Sequence, residues 1–136
     1  MNILIPFETE VHRPVKATGT STSDLLHEAD ATDASGGTDI YEGLLSALDE
    51  LPSESEASQY TTAIVLMTDG RSNSDHQDEF ESAYKSRGRD LPIFSIMFGD
   101  ADPSQLKSLA TLSNAKVFDG RSGDLAAVFR QVKGFN

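Results

Sequence analysis

The run Ala63-Ile64-Val65-Leu66-Met67, closed by Thr68-Asp69-Gly70, constrains the fold more than any other stretch of the chain. Apolar residues without polar alternation, ended by turn chemistry, predict a strand buried on both faces, as in the middle of a parallel sheet. Ligands of such sheets bind beyond the carboxyl ends of the strands. Asp69 is expected at that edge, with Gly70 free to take a turn that a bulkier residue would resist. An isolated Asp-Gly reads more readily as a plain turn or a helix cap. The stretch Ser35-Gly36-Gly37-Thr38-Asp39 gives the acid a companion and shifts that balance.

The rest of the chain is punctuated in the same way. Ile3-Leu4-Ile5-Pro6-Phe7 predicts a short strand, irregular or at an edge because Pro6 cannot donate to a ladder, with Val11 to Lys16 as its hairpin partner. Asp24 to Ala29 is expected to hold one or two helical turns, and Asp30 to Gly37 a small, acidic loop. Ile40, Leu44, Leu48 and Leu51 lie on one helical stripe that Pro52 stops. Asp39 with Glu42 three residues on has capping-box spacing, and so do Ser74 and Gln77 before a second helix whose face carries Phe80, Ala83, Tyr84 and Arg87. Gly88 is expected to end that helix, and Pro52 to Tyr60 to be a polar linker.

Ile93 to Phe98 predicts the next buried strand, with Gly99-Asp100 at the same edge as Asp69. Asp102-Pro103 starts a helix, the acid as cap and the proline at the first helical position, with Leu106, Leu109 and Ala110 inward. Lys116-Val117-Phe118 is a short strand, and Leu125, Val128, Phe129 and Val132 mark a last helix. This alternation predicts an α/β fold in three layers, a mostly parallel sheet with helices on both faces.

The bulk numbers narrow the function. A chain of 136 residues forms one domain, 1–136, with a sizeable core. Its net charge of −11 argues against nucleic acid and anionic membrane, and suits a soluble protein that meets cations. Without cysteine there is no disulfide, thiolate site or thiol nucleophile. No apolar run approaches the roughly 20 residues needed to span a bilayer.

Gly36-Gly37-Thr38-Asp39-Ile40 before an amphipathic helix, and Ile64 to Gly70, resemble the von Willebrand factor type A domain. So do Pro92 to Ile96 running into Phe98 to Asp102, Leu106 to Ala110, Lys116 to Asp119 and Leu125 to Phe129. Ile3 to Phe7 looks like that family's second strand, so the likeness covers nearly the whole chain. The resemblance implies a Rossmann-like fold and a metal-ion-dependent adhesion site at the carboxyl edge of the sheet. Thr38 matches the position that gives a hydroxyl to Mg²⁺, or to Mn²⁺ or Ca²⁺, and Asp69 the position that gives a carboxylate. Gly37, Asp39 and Gly70 support those loops, and Ser72 and Asn73 follow as candidate partner contacts. A protein partner would reach the ion through an acidic side chain.

The third ligand loop of the family, Asp-x-Ser-x-Ser at the end of the first strand, has no match; Asp33-Ala34-Ser35 begins like it but leads into the Gly-Gly-Thr loop. The expectation is a domain incomplete at its N-terminus, lacking the first strand and its helix, whose upstream part belongs to a larger secreted or membrane-anchored bacterial protein. Two ligands cannot dress an octahedral ion, so Mg²⁺ is expected to bind with a dissociation constant above roughly 10⁻³ M. Loss of the first strand also leaves facing strand edges, which favour self-association.

His12, His27 and His76 lack zinc-helix spacing and read as solvated surface residues. Asp100 and Asp102 read as turn and cap residues, and Tyr41, Tyr84, Phe80 and Phe129 as core. No nucleophile elbow, phosphate loop or dinucleotide fingerprint is present. The expected function is therefore a non-enzymatic protein-interaction module. The alternatives are a metal-independent structural or oligomerisation domain, or a metal-assisted hydrolase pairing Asp69 with Asp39 or Asp100.

Overall fold

A computed structural model describes residues 2–7, 11–17, 37–53, 56, 62–69, 71–87, 91–122, 127, 130 and 131. The chain opens with an antiparallel hairpin, β1 (Asn2–Leu4) and β2 (Val15–Ala17), registered Asn2 to Ala17 and Leu4 to Val15. The first strand ends before Pro6, whose carbonyl accepts from the His12 N–H at 2.9 Å. Phe7 then packs on α1 (Ile40–Asp49), its ring 3.1 Å from where a Cβ at the buried Gly43 would stand. The helical turns expected over Asp24 to Ala29, the loop from Asp30 to Gly37 except its last residue, and the helix stop at Gly88 lie outside the described residues. Of the expected last helix, Ala127, Arg130 and Gln131 are described and helical, while Leu125, Val128, Phe129 and Val132 lie outside. His27 does too.

Helix α1 forms as its pattern requires. Ile40, Leu44 and Leu48 are at most 2% exposed, and full burial of each such side chain is worth about 1.5–3 kcal/mol. The Asp39 Oδ1 caps the start by accepting from the Tyr41 and Glu42 N–H groups, each at 3.1 Å. Helix α2 (Gln77–Arg87) buries Phe80 and Tyr84 and lies against α1. Arg87 reaches the end of α1, donating to Asp49 Oδ1 at 2.7 Å and to the Leu48 carbonyl at 3.1 Å. Ser74 is not the side-chain cap of α2 that its spacing implies. Its carbonyl accepts from the Gln77 N–H at 3.2 Å, and the His76 carbonyl takes the first bond inside the helix, from the Phe80 N–H.

The main sheet holds β3 (Ile64–Thr68), β4 (Ile93–Met97) and β5 (Val117–Asp119), all parallel and in sequence order. Helix α2 joins the first pair and α3 (Pro103–Ser113) the second. Ile93 and Met97 of β4, with Leu66 of β3, enter one core with apolar residues of α1, α2 and α3. Phe94 and Ile96 project to the other face and pack with Phe118. Helices α1, α2 and α3 share the first face.

This arrangement corrects the reading of the Ala63–Met67 run. Every residue of β4 is buried, and β4 is the central strand. In β3, Val65 is 38% and Met67 42% exposed. Among the described residues β3 pairs only with β4, so it stands at an edge with one face partly open. An apolar run reports affinity for a sheet; the number of neighbouring strands decides whether both faces are covered.

Candidate functional site

The carboxyl ends of the three parallel strands form a rim. Thr68 aligns with Met97, and Met97 with Asp119, so Asp69, Asp100 and Asp119 come to the same end of adjacent strands. The loops after β3 and β4 are joined by backbone bonds, from the Phe98 N–H to the Thr68 carbonyl at 2.9 Å and from the Asp100 N–H to the Asp69 carbonyl at 3.0 Å. Gly99 makes that approach feasible. Its φ is +44°, and a Cβ there would stand 2.9 Å from the Asp69 carbonyl oxygen. Asp69 itself is exposed, and its carboxylate has no partner among the described residues.

The Gly37-Thr38-Asp39 segment lies against the loop that follows Asp69. The Asn73 N–H donates to the Thr38 carbonyl at 2.9 Å, and the Ile40 N–H donates to Ser72 Oγ at 2.9 Å. Ser72 Oγ in turn donates to the Asn73 carbonyl at 2.7 Å. Gln105, in the first turns of α3, clamps the Ser72 backbone from the other side. Its Oε1 accepts from the Ser72 N–H at 3.0 Å and its Nε2 donates to the Ser72 carbonyl at 2.8 Å. Ser72 is thus half-buried and committed to internal bonds, whereas Asn73 is exposed. Gly37 is exposed, and Thr38 is half-buried with a hydroxyl that makes no hydrogen bond among the described residues. Gly70 lies outside the described residues.

The electrostatics of the rim are mixed but mainly acidic. Arg121 forms a two-pronged pair with Asp119, both contacts at 3.0 Å, and its hydrogen bonds hold that carboxyl below its ordinary value. Asp102 caps α3 as its sequence requires, accepting from the Ser104 N–H at 2.9 Å. The Ser104 bonds, with Arg71 3.7 Å away, pull its carboxyl below the ordinary range. Asp100 is an exposed turn residue.

A second group of donors lies beside the first. Asp39 is 2% exposed, and while its Oδ1 caps α1, its Oδ2 meets the His76 Nδ1 at 2.5 Å. That hydrogen bond first, then the charges of Asp39, Glu42 and Glu79, hold the imidazole above its ordinary value. His76 is therefore not a free surface histidine, as its isolation in the sequence implied. Asp39, Glu42 and His76 are the described residues whose ligand atoms come close enough to hold a metal ion. No local spacing signals this, because the histidine stands 37 positions beyond its acid. Tyr41, buried in the core beside them, has its hydroxyl pushed up by burial and then by Glu81, Asp102 and Asp39.

A parallel β-α-β-α-β unit with loops converging on its carboxyl rim is a Rossmann-like α/β module. The family model of the von Willebrand factor type A domain matches residues 4–131, and the chain belongs to that family. Domains of this family commonly mediate protein–protein interactions. No curated protein matches the chain significantly. No helix among the described residues is long and apolar enough to cross a membrane.

Proposed function

We propose that the chain is a non-enzymatic interaction module that receives a partner protein on the rim around Thr38 and Asp69. The observation that carries this reading is the pair of bonds from Asn73 to Thr38 and from Ile40 to Ser72, which bind the Thr38 loop to the loop that begins at Asp69. The Thr38 hydroxyl and the Asp69 carboxylate then remain as oxygen donors without partners among the described residues, as a partial adhesion site requires.

The fit to Mg²⁺ is incomplete. An octahedral ion takes about six oxygens, and here the Ser72 hydroxyl is already spent on Ile40 and Asn73. Thr38 and Asp69 are the two family-type donors left, with water filling the other positions. A chain supplying the missing loop would hold Mg²⁺, Mn²⁺ or Ca²⁺ firmly enough to meet an acidic partner side chain. Without an ion, the carboxylates of Asp69 and Asp100 repel such a partner, so capture depends on the cation.

Catalysis is not part of the proposal. Of the two acids a hydrolase would pair with Asp69, Asp39 has one oxygen on the α1 cap and the other on His76, and Asp100 is an exposed turn residue. The test is a titration of Mg²⁺ with and without an Asp-containing peptide, on the wild type and Asp69→Ala. Millimolar, Asp69-dependent binding with no hydrolytic turnover supports the reading; turnover abolished by Asp69→Ala overturns it.

Among the described residues β3 pairs on one side only, which supports a second reading, a metal-independent structural or oligomerisation domain that associates through its strand edge. Partner binding or self-association insensitive to EDTA would favour it.

A further inference from the structure

We propose that Asp39, Glu42 and His76 form a binding site for a borderline divalent ion of the zinc class, distinct in chemistry from the oxygen donors Thr38 and Asp69. Each residue offers one ligand atom, and these atoms all lie within 4.8 Å of one another. Two features separate the group from ordinary surface acids. It contains a nitrogen donor delivered from a distant stretch of chain, and its central carboxylate is buried and fixed in orientation. With Oδ1 of Asp39 held by two helix N–H groups, Oδ2 stays directed at the imidazole instead of turning into water. Ligands immobilised in this way by outer hydrogen bonds are what a metal site needs.

Charge points the same way. Neither Asp39 nor Glu42 has a Lys or Arg partner among the described residues, and the nearby Glu79 adds to the negative field. A protonated His76 balances one carboxylate; a divalent ion balances both. The geometry lies within reach, since tetrahedral bonds of about 2.0–2.1 Å place neighbouring ligands about 3.3 Å apart. The Nδ1–Oδ2 contact of 2.5 Å and the outer limit of 4.8 Å bracket that value. His76 and Glu42 are only half-buried, so rotation of their side chains closes the difference around a stationary Asp39. The ion takes the place of the hydrogen between Nδ1 and Oδ2, that proton leaves to solvent, and water fills the fourth position. Imidazole selects Zn²⁺, Co²⁺ or Ni²⁺ over Mg²⁺ and Ca²⁺.

The experiment titrates Co²⁺ into the full chain, following the visible absorption of the bound ion, and then displaces it with Zn²⁺. Saturable binding is expected, unchanged by excess Mg²⁺. His76→Gln and, separately, Glu42→Gln should each weaken it by about tenfold or more, since loss of even an outer partner of a metal ligand costs that much. Circular dichroism checks that both variants stay folded, and Glu42→Gln carries the test if His76→Gln does not. Absence of saturable binding overturns the proposal, as does binding that survives both substitutions or is displaced by Mg²⁺.

Discussion

Asn73 donates its backbone N–H to the carbonyl of Thr38 at 2.9 Å. These residues lie far apart in sequence, one before α1 and the other after β3, and the bond makes their loops a single surface. The coupling does not rest on that bond alone. Ser72 receives the Ile40 N–H, and Gln105 holds the peptide groups of Ser72 on both sides. The rim is therefore built by α3 as much as by the two loops that carry the family motifs.

Gln105→Ala removes both of the bonds that clamp Ser72. At about 0.5–1.5 kcal/mol net per hydrogen bond, the expected loss is about 1–3 kcal/mol in urea unfolding. Hydrogen exchange adds a local readout: Ile40, Ser72 and Asn73 amides should lose protection while those of β4 keep theirs. Unchanged exchange at Ile40 would show that the Thr38 loop does not depend on α3.

Gly99→Ala tests the contact between the β3 and β4 loops. The left-handed backbone at φ +44° costs a residue with a Cβ about 1–2 kcal/mol. A new methyl 2.9 Å from the Asp69 carbonyl oxygen adds to that, because the obstacle is backbone and cannot swing aside. The variant should unfold at lower urea, and its Asp69 and Asp100 backbone resonances should shift most. Wild-type stability in this variant would contradict the close approach.

Much of this was legible locally. Asp39 before α1 and Asp102-Pro103 before α3 announce their helices through caps and apolar spacing, and the structure uses both acids as read. The Ile93–Phe98 run likewise becomes, over Ile93–Met97, the buried centre of the sheet, with Phe98 half-buried just beyond it. What escaped the sequence is what depends on distant neighbours. Whether Val65 and Met67 are covered is set by strands and helices outside their own segment. The pairing of His76 with Asp39 follows from the packing of α1 on α2, which no spacing rule encodes. The bond from Gln105 to Ser72 is equally invisible, because a glutamine on a helix gives no hint of which loop it will meet.

Asp102 provides the pH dependence. Its Ser104 hydrogen bonds, and then Arg71, lower its folded pKa below the ordinary 3.8. The charged cap therefore stabilises the fold fully above that ordinary value, and the contribution is lost as pH falls through the folded value. Asp102→Asn keeps a capping oxygen but carries no charge. Its urea midpoint should lie below that of the wild type near neutrality, and the two should converge in strong acid. A difference independent of pH would mean that the cap acts through shape alone.

The edge of β3 yields the last prediction. From Thr62 to Thr68 the chain carries no charge and no proline, and Val65 and Met67 are more than a third exposed. Open strand edges of this composition pair with other chains, and natural sheets block them with a charged residue, often lysine. With no such block among the described residues, the wild type should show concentration-dependent association in sedimentation velocity, opposed by its net charge of −11 and therefore stronger at high salt. Met67→Lys puts a charge on the open face without removing a buried side chain, so stability should change by no more than about 0.5 kcal/mol. Association should nevertheless fall sharply. A wild-type chain that stays monomeric at high concentration and high salt would show that the exposed pair on β3 is not an adhesive edge, and would remove the support for the oligomerisation reading.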